Sequence, residues 1–207
     1  MKVIVIGHME QQEHWNALQA YPAVVSWQQN TANIPSGSYV LDLLFDGSAE
    51  RISSLLSSSP ACCLVSSIMV TCAELPSTFA RFNGWPGFAE KNIIESACSN
   101  EKIKDHVAVL LAVFGRSPQW VKDIPGFIAA RIVSMIINEA YLGSQELVSD
   151  RSSIDTAMKL GTGYPFGPFE WCGKIGTKKV YELLMRLSAD ETRYTPAESL
   201  IKEALQA

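Results

Sequence analysis

The stretch "DIPGFIAARIVSMIINEA", residues 123–140, decides how this chain is built. Pro125 fixes φ and Gly126 tolerates backbone angles closed to other residues, so the stretch opens on a tight turn. A long apolar run follows, 126–148, carrying a buried-looking Arg131. Its length and periodicity predict one helix, apolar nearly all round, which belongs in an interior or at a contact between subunits. Asp123 is expected beside the unpaired N–H groups at the start of that helix.

Helical patterns continue downstream. Residues 152–161 open on serines and stop at glycine, 162–176 form a turn-rich loop, and helices are predicted over 177–188 and 195–206. Upstream the grammar differs. "KVIVIG" (2–7) is a continuous apolar strand, followed by strand-like runs at 23–27, 38–45, 61–67 and 92–99. Helical stretches at 10–20, 49–59 and 100–115 lie between them, while "TFARFNGWPGF" (78–88) reads as a turn. Strands alternating with helices imply a parallel, doubly wound sheet. The expected fold is therefore α/β: a Rossmann-like N-terminal parallel-sheet domain, 1–118, and an all-α C-terminal domain, 119–207.

Composition narrows the function classes. Hydrophobic residues make up 47% and charged ones 18%, as in ordinary globular proteins, and the net charge is -4. No basic stripe suggests nucleic acid. No apolar run reaches the roughly 18 residues that span a bilayer. The opening "MKVIVIGHMEQQ" turns polar too soon for a secretory signal, so a cytoplasmic protein is expected. Cys62, Cys63, Cys72, Cys98 and Cys172 form no C-x-x-C pair and read as free thiols, with no metal centre.

Residues 115–176 resemble the 3-hydroxyacyl-CoA dehydrogenases. The family's Asp-x-Pro-Gly-Phe-x-x-Asn-Arg reads here Asp123, Pro125, Gly126, Phe127, Ala130 and Arg131, with Asn138-Glu139-Ala140 on the same helix. Its later elements match Ile154, Asp155, Ala157 and Met158, then Gly161, Gly163, Pro165, Gly167, Pro168 and Phe169, and finally Ile175-Gly176. The resemblance implies NAD-dependent oxidation of a 3-hydroxyacyl-CoA, with a His as base, a Glu orienting it, and a Ser and an Asn holding the substrate oxygen. It also implies a homodimer paired through the helical domain. A base titrating near neutrality and a carboxylate fixing its tautomer are what such proton transfer needs.

Against that pattern the chain is degenerate. Carried over by the motif, Glu95 is the orienting carboxylate, the His position is Ala80 and the Asn position is Ala130. "LVSSIMV" (64–70) offers Ser66 or Ser67 as the serine, with both left open. The phosphate-cradling Gly-x-Gly-x-x-Gly reads Gly7, Met9 and Gln12, of which only the first is glycine. The second strand ends in Gln28 and Gln29 where an acid is expected for the ribose, and Asp42 and Asp46 sit near the family's acidic positions after the later strand but read equally as solvent-facing turn residues. His8 follows the first strand and reads as a surface histidine first and a ligand contact in the cleft second, His14 and His106 look solvent-facing, and Trp85 reads as pocket lining or ordered loop. NAD is thus the implied cofactor on an eroded site.

Three functions compete: a working hydroxyacyl-CoA (or related 2- or 3-hydroxy acid) dehydrogenase using substitute residues, a non-catalytic dimeric scaffold holding an acyl-CoA-like ligand or a protein partner, and a reductase of another ketone or hydroxy acid that binds its nucleotide differently. The replaced residues favour a 3-hydroxyacyl-CoA dehydrogenase-like protein of weak or absent activity.

Overall fold

The computed structural model describes residues 1–16 and 21–206, and the chain divides into two compact units, Met1–Phe127 and Ile128–Ala207. In the first unit, strands β1 (Lys2–Ile6), β2 (Val24–Gln28), β3 (Tyr39–Asp42), β4 (Cys62–Ser66), β5 (Phe79–Phe82), β6 (Ile93–Cys98) and β7 (Ser117–Trp120) form one sheet. Its order is β2-β1-β3-β4-β5-β6-β7. All neighbours pair in parallel except β5 and β6, which are antiparallel. This is a Rossmann-like sheet with one reversed step.

The continuous apolar strands are explained by burial on both faces. Val3 and Val5 of β1 pack on one face with Leu64, Phe82 and helix α3 (Lys104–Ala112). Ile4 and Ile6 face the other way, packing with Val40, Val65 and helix α2 (Ala49–Ser57) through Leu55.

Four expectations are corrected here, one of them the loop expected over 162–176, most of which is a helix, Pro168–Ile175. The stretch read as a turn contains β5, residues 79–82. The helix expected over 10–20 begins as α1, only Met9–Gln12, and 17–20 lie outside the described residues. The sheet also continues through β7, a strand absent from the sequence reading.

The second unit contains α4 (Ala129–Gln145), α5 (Arg151–Thr162), α6 (Pro168–Ile175), α7 (Thr177–Ser188) and α8 (Glu198–Ala204). Its family motifs hold the fold together. The buried Asp155 of α5 accepts hydrogen bonds from the N–H groups of Phe169 (2.8 Å) and Glu170 (3.2 Å), capping α6 across the loop. Gly167 must be glycine because a Cβ there would collide with the Asp155 carboxylate. Gly167→Ala is accordingly expected to lower stability by roughly 1–3 kcal/mol, read by urea unfolding. Asn138, also buried, accepts from Ala197 N–H (2.8 Å) and donates to the Thr195 carbonyl (2.9 Å), fixing the turn into α8.

Helix α4 is shorter than the apolar run and has a polar side. Ala130, Val133, Ile137 and Tyr141 are buried and Glu139 is exposed, yet Ile128 just before the helix and Ile132 within it remain 53% and 51% exposed. Arg131 is only half-buried, its guanidinium 5.1 Å from the centre of the Tyr194 ring. Among the described residues the arginines that the fold buries are Arg81, fully, and Arg116.

Candidate functional site

Chemistry-bearing residues gather in the first unit at the carboxyl edge of its parallel strands, where doubly wound sheets bind ligands. Gly7 and His8 follow β1, Asp42 ends β3, Ser66 ends β4 and Asn83 follows β5. Because β6 runs the other way, Glu95 near its start returns to the same edge. The Asn83 N–H donates to the Glu95 carbonyl (2.9 Å), and Asn83 Nδ2 donates to Glu95 Oε2 (2.9 Å). Asn83 Oδ1 accepts from the Trp85 N–H (3.3 Å), which fixes the orientation of the amide.

Ser66 stands beside this pair. A Cβ on Gly84 would lie 2.7 Å from Ser66 Cβ and overlap its hydroxyl, so glycine is what lets the chain leave Asn83 past the serine. Ser67 is instead spent on the backbone, its hydroxyl donating to the Val70 carbonyl (3.0 Å). Trp85 is buried, with its own N–H and carbonyl committed to the turn.

Ala80 is not at this edge. It is fully buried on β5 opposite Cys98, in the apolar cluster that includes Leu64, Phe82, Ile94 and Val107. Ala130 is buried too, on α4 of the second unit. All three histidines are exposed. His106 lies at the opposite edge, its Nδ1 3.4 Å from the Ala61 carbonyl and its ring against Tyr39. His8 is at the right edge, but β1 and β6 are four strand spacings apart, about 19 Å.

The head of β1 does not fit a dinucleotide. A Cβ on Gly7 would meet Trp27 Cζ3 at 2.9 Å, with Gln11 Oε1 and Leu43 Cδ1 at 3.1 Å, so side chains of this chain already cover that glycine. Gln11 Oε1 also accepts from the His8 N–H (2.9 Å), occupying a backbone donor that a phosphate would use. Met9 is 67% exposed, so these three side chains, rather than Met9, close over the glycine. Gln12 ends the single turn of α1. Gln28, at the ribose position, donates to the carbonyls of Asn30 (2.6 Å) and Ala32 (3.0 Å).

Asp42 is no solvent-facing turn residue. It is fully buried and held by Arg51 through two 2.7 Å hydrogen bonds. Burial pushes its carboxyl above the ordinary range, against the pull of Arg51. Asp46 is exposed and accepts from the Ser48 N–H (2.9 Å) ahead of α2. The thiols offer no nucleophile: burial pushes Cys62 and Cys72 up to about 12 and raises the others. Among the described residues there is no cluster of ligands for a metal ion.

Arg81 is the residue the sequence reading missed. Its guanidinium donates to Asp123 (2.6 Å) and to the Ile124 (2.7 Å), Ser67 and Ile68 (both 3.3 Å) carbonyls. It also lies 4.1 Å from the centre of the Phe127 ring. Asp123 further accepts from the Cys72 N–H (2.9 Å), and the Gly126 N–H donates to the Ile68 carbonyl (2.8 Å). Asp123 therefore anchors the Pro-Gly-Phe turn to the strands of the sheet unit. The turn is left-handed twice over, at Gly126 (φ 83°) and Phe127 (φ 50°), and the stacked Arg81 holds the second, unfavourable residue in place.

Comparison with known proteins agrees with these motifs. Residues 126–207 match the family model of the 3-hydroxyacyl-CoA dehydrogenase C-terminal domain. The likeness to this family is thus concentrated in residues 126–207. Among this family's members, the 3-hydroxyadipyl-CoA dehydrogenase of Escherichia coli is 40% identical over 93 residues, 44% of this chain and 20% of that protein. The human mitochondrial hydroxyacyl-coenzyme A dehydrogenase is 32% identical over 124 residues, 58% of this chain and 40% of its own. The chain matches at most two-fifths of the length of these relatives. The crystal structure of (S)-3-hydroxybutyryl-CoA dehydrogenase from Ralstonia eutropha superposes with a TM-score of 0.72 at 19% identity, covering 88% of this chain and 70% of that one. That likeness is one of fold.

Proposed function

We propose that this 3-hydroxyacyl-CoA dehydrogenase-like chain does not run hydride transfer by the family's route. It acts as a non-catalytic member that holds an acyl-CoA-like ligand or a protein partner. The observation carrying this reading is what Glu95 holds: its carboxylate is hydrogen-bonded to the amide of Asn83, which cannot accept a proton near neutrality. The covered Gly7 supports it from the cofactor side, since family members use NAD and the head of β1 leaves no cradle for its pyrophosphate. What remains is binding chemistry: Ser66 and the Glu95 carboxylate, held by Asn83, can bind a polar group at a sheet edge without moving a proton.

Loss of a general base costs about a hundredfold to ten-thousandfold in rate. Purified protein given NADH and acetoacetyl-CoA is therefore expected to oxidise NADH no faster than a blank. Turnover that disappears in Glu95→Gln would contradict the proposal.

The helical unit supports a homodimer. Ile128 and Ile132, with the half-buried Met135 and Ile136, leave an apolar strip along α4, and a second copy is the partner proposed for it. Ile132→Glu is expected to convert the dimer to a monomer in sedimentation velocity while the far-ultraviolet circular dichroism stays unchanged; a wild-type monomer would contradict this. Cytoplasmic residence is proposed on the five free cysteines. No described helix is long and apolar enough to cross a membrane.

A further inference from the structure

The register of β5 against β6 decides which residue handles protons at this edge. Ala80 lies opposite Cys98, Arg81 opposite Ala97 and Phe82 opposite Ser96. One more step sets Asn83 opposite Glu95, and both a backbone and a side-chain hydrogen bond join them there. Position 80 is three residues back along the strand, about 10 Å away. Side chains alternate between faces, so Ala80 shares the α3 face with Phe82, whereas Asn83 shares the opposite face with Arg81.

We infer that the proton-handling position of this edge is residue 83, not residue 80, and that an amide there preserves the hydrogen bond to Glu95 while removing any group that titrates near neutrality. An imidazole at 83 pairs with Glu95; one at 80 enters the apolar cluster around Leu64, Phe82 and Val107. The inference rests on the proposed function only in taking the edge to be a dehydrogenase-type site. The pairing itself is a matter of register. Asn83 is 1% exposed and both ends of its amide are engaged, so its role is positional: it locks the Glu95 carboxylate in the orientation an imidazole would need.

The test is the titration of a new imidazole. In Asn83→His, followed by NMR, the ring is expected to titrate at least one pH unit above an ordinary histidine, because the carboxylate favours its charged form. That rise is expected to vanish in Asn83→His/Glu95→Gln. A ring that titrates normally, or whose titration ignores Glu95→Gln, would overturn the assignment. Should the histidine variant not fold, the wild-type amide decides. One Asn83 side-chain hydrogen is expected to be protected from solvent exchange, and Glu95→Gln to change that protection. Two freely exchanging hydrogens would equally overturn it. None of these outcomes depends on NADH, so this inference and the proposed function can fail separately.

Discussion

Asp123→Ala is expected to destabilise the sheet unit by about 3–5 kcal/mol, because it leaves the guanidinium of Arg81 buried without its charge partner. For a chain of this length that corresponds to a melting temperature lower by roughly 6–20 °C. Arg81 itself is fully buried while Asp123 keeps some exposure, so the cost falls on the arginine, which cannot shed its proton. The sharper form of the prediction is a cycle. Arg81→Met alone costs the carbonyl contacts and the Phe127 stack as well as the ion pair. Arg81→Met/Asp123→Ala is expected to be more stable than the sum of the single losses by at least 1 kcal/mol, since neither charge is then stranded. Additive losses in thermal or urea unfolding would show that the pair does not hold the turn.

Ala80→His is expected to cost about 3 kcal/mol, because a ring larger than the methyl must enter a closed cluster and its nitrogens meet no partner there. The sign of its pH dependence follows. Burial depresses the folded pKa of such an imidazole, so the unfolded state takes up the proton first and stability falls as pH drops below about 6.5. Urea unfolding at pH 5 and pH 8 measures this. A variant as stable as wild type, or more stable at pH 5, would mean that position 80 faces a wet cleft.

Much of the architecture was legible in the sequence because it is written in local patterns. The apolar runs of β1, β3 and β4 declare strands buried on both faces, and the Gly and Pro positions from 161 to 168 mark the loop into α6. What could not be read depends on contacts distant in the chain. Residues 79–82 hide as a strand because Arg81 looks like a surface residue until Asp123, 42 positions later, buries it. The pairing of Asn83 with Glu95 was hidden for the same reason. Motif matching set position 80 against Glu95, whereas the antiparallel step between β5 and β6 sets position 83 there, and nothing local in the sequence announces that reversal. Asp42 illustrates the point in miniature: its burial is sustained by Arg51 one helical element away. Gly7 was readable as the surviving glycine of a cradle, but its covering by Trp27 and Leu43 appears only when β2 and β3 flank β1.

The most direct measurement of the central claim is an equilibrium titration of the wild-type protein with NADH, read by tryptophan fluorescence and by melting temperature. Trp27 stands over Gly7, so any dinucleotide entering there must move it. The expected result is no saturable fluorescence change and no thermal shift. A site filled to a hundred times its dissociation constant would stabilise the protein by about 2.7 kcal/mol. Saturable binding with a rise of that order would contradict the account.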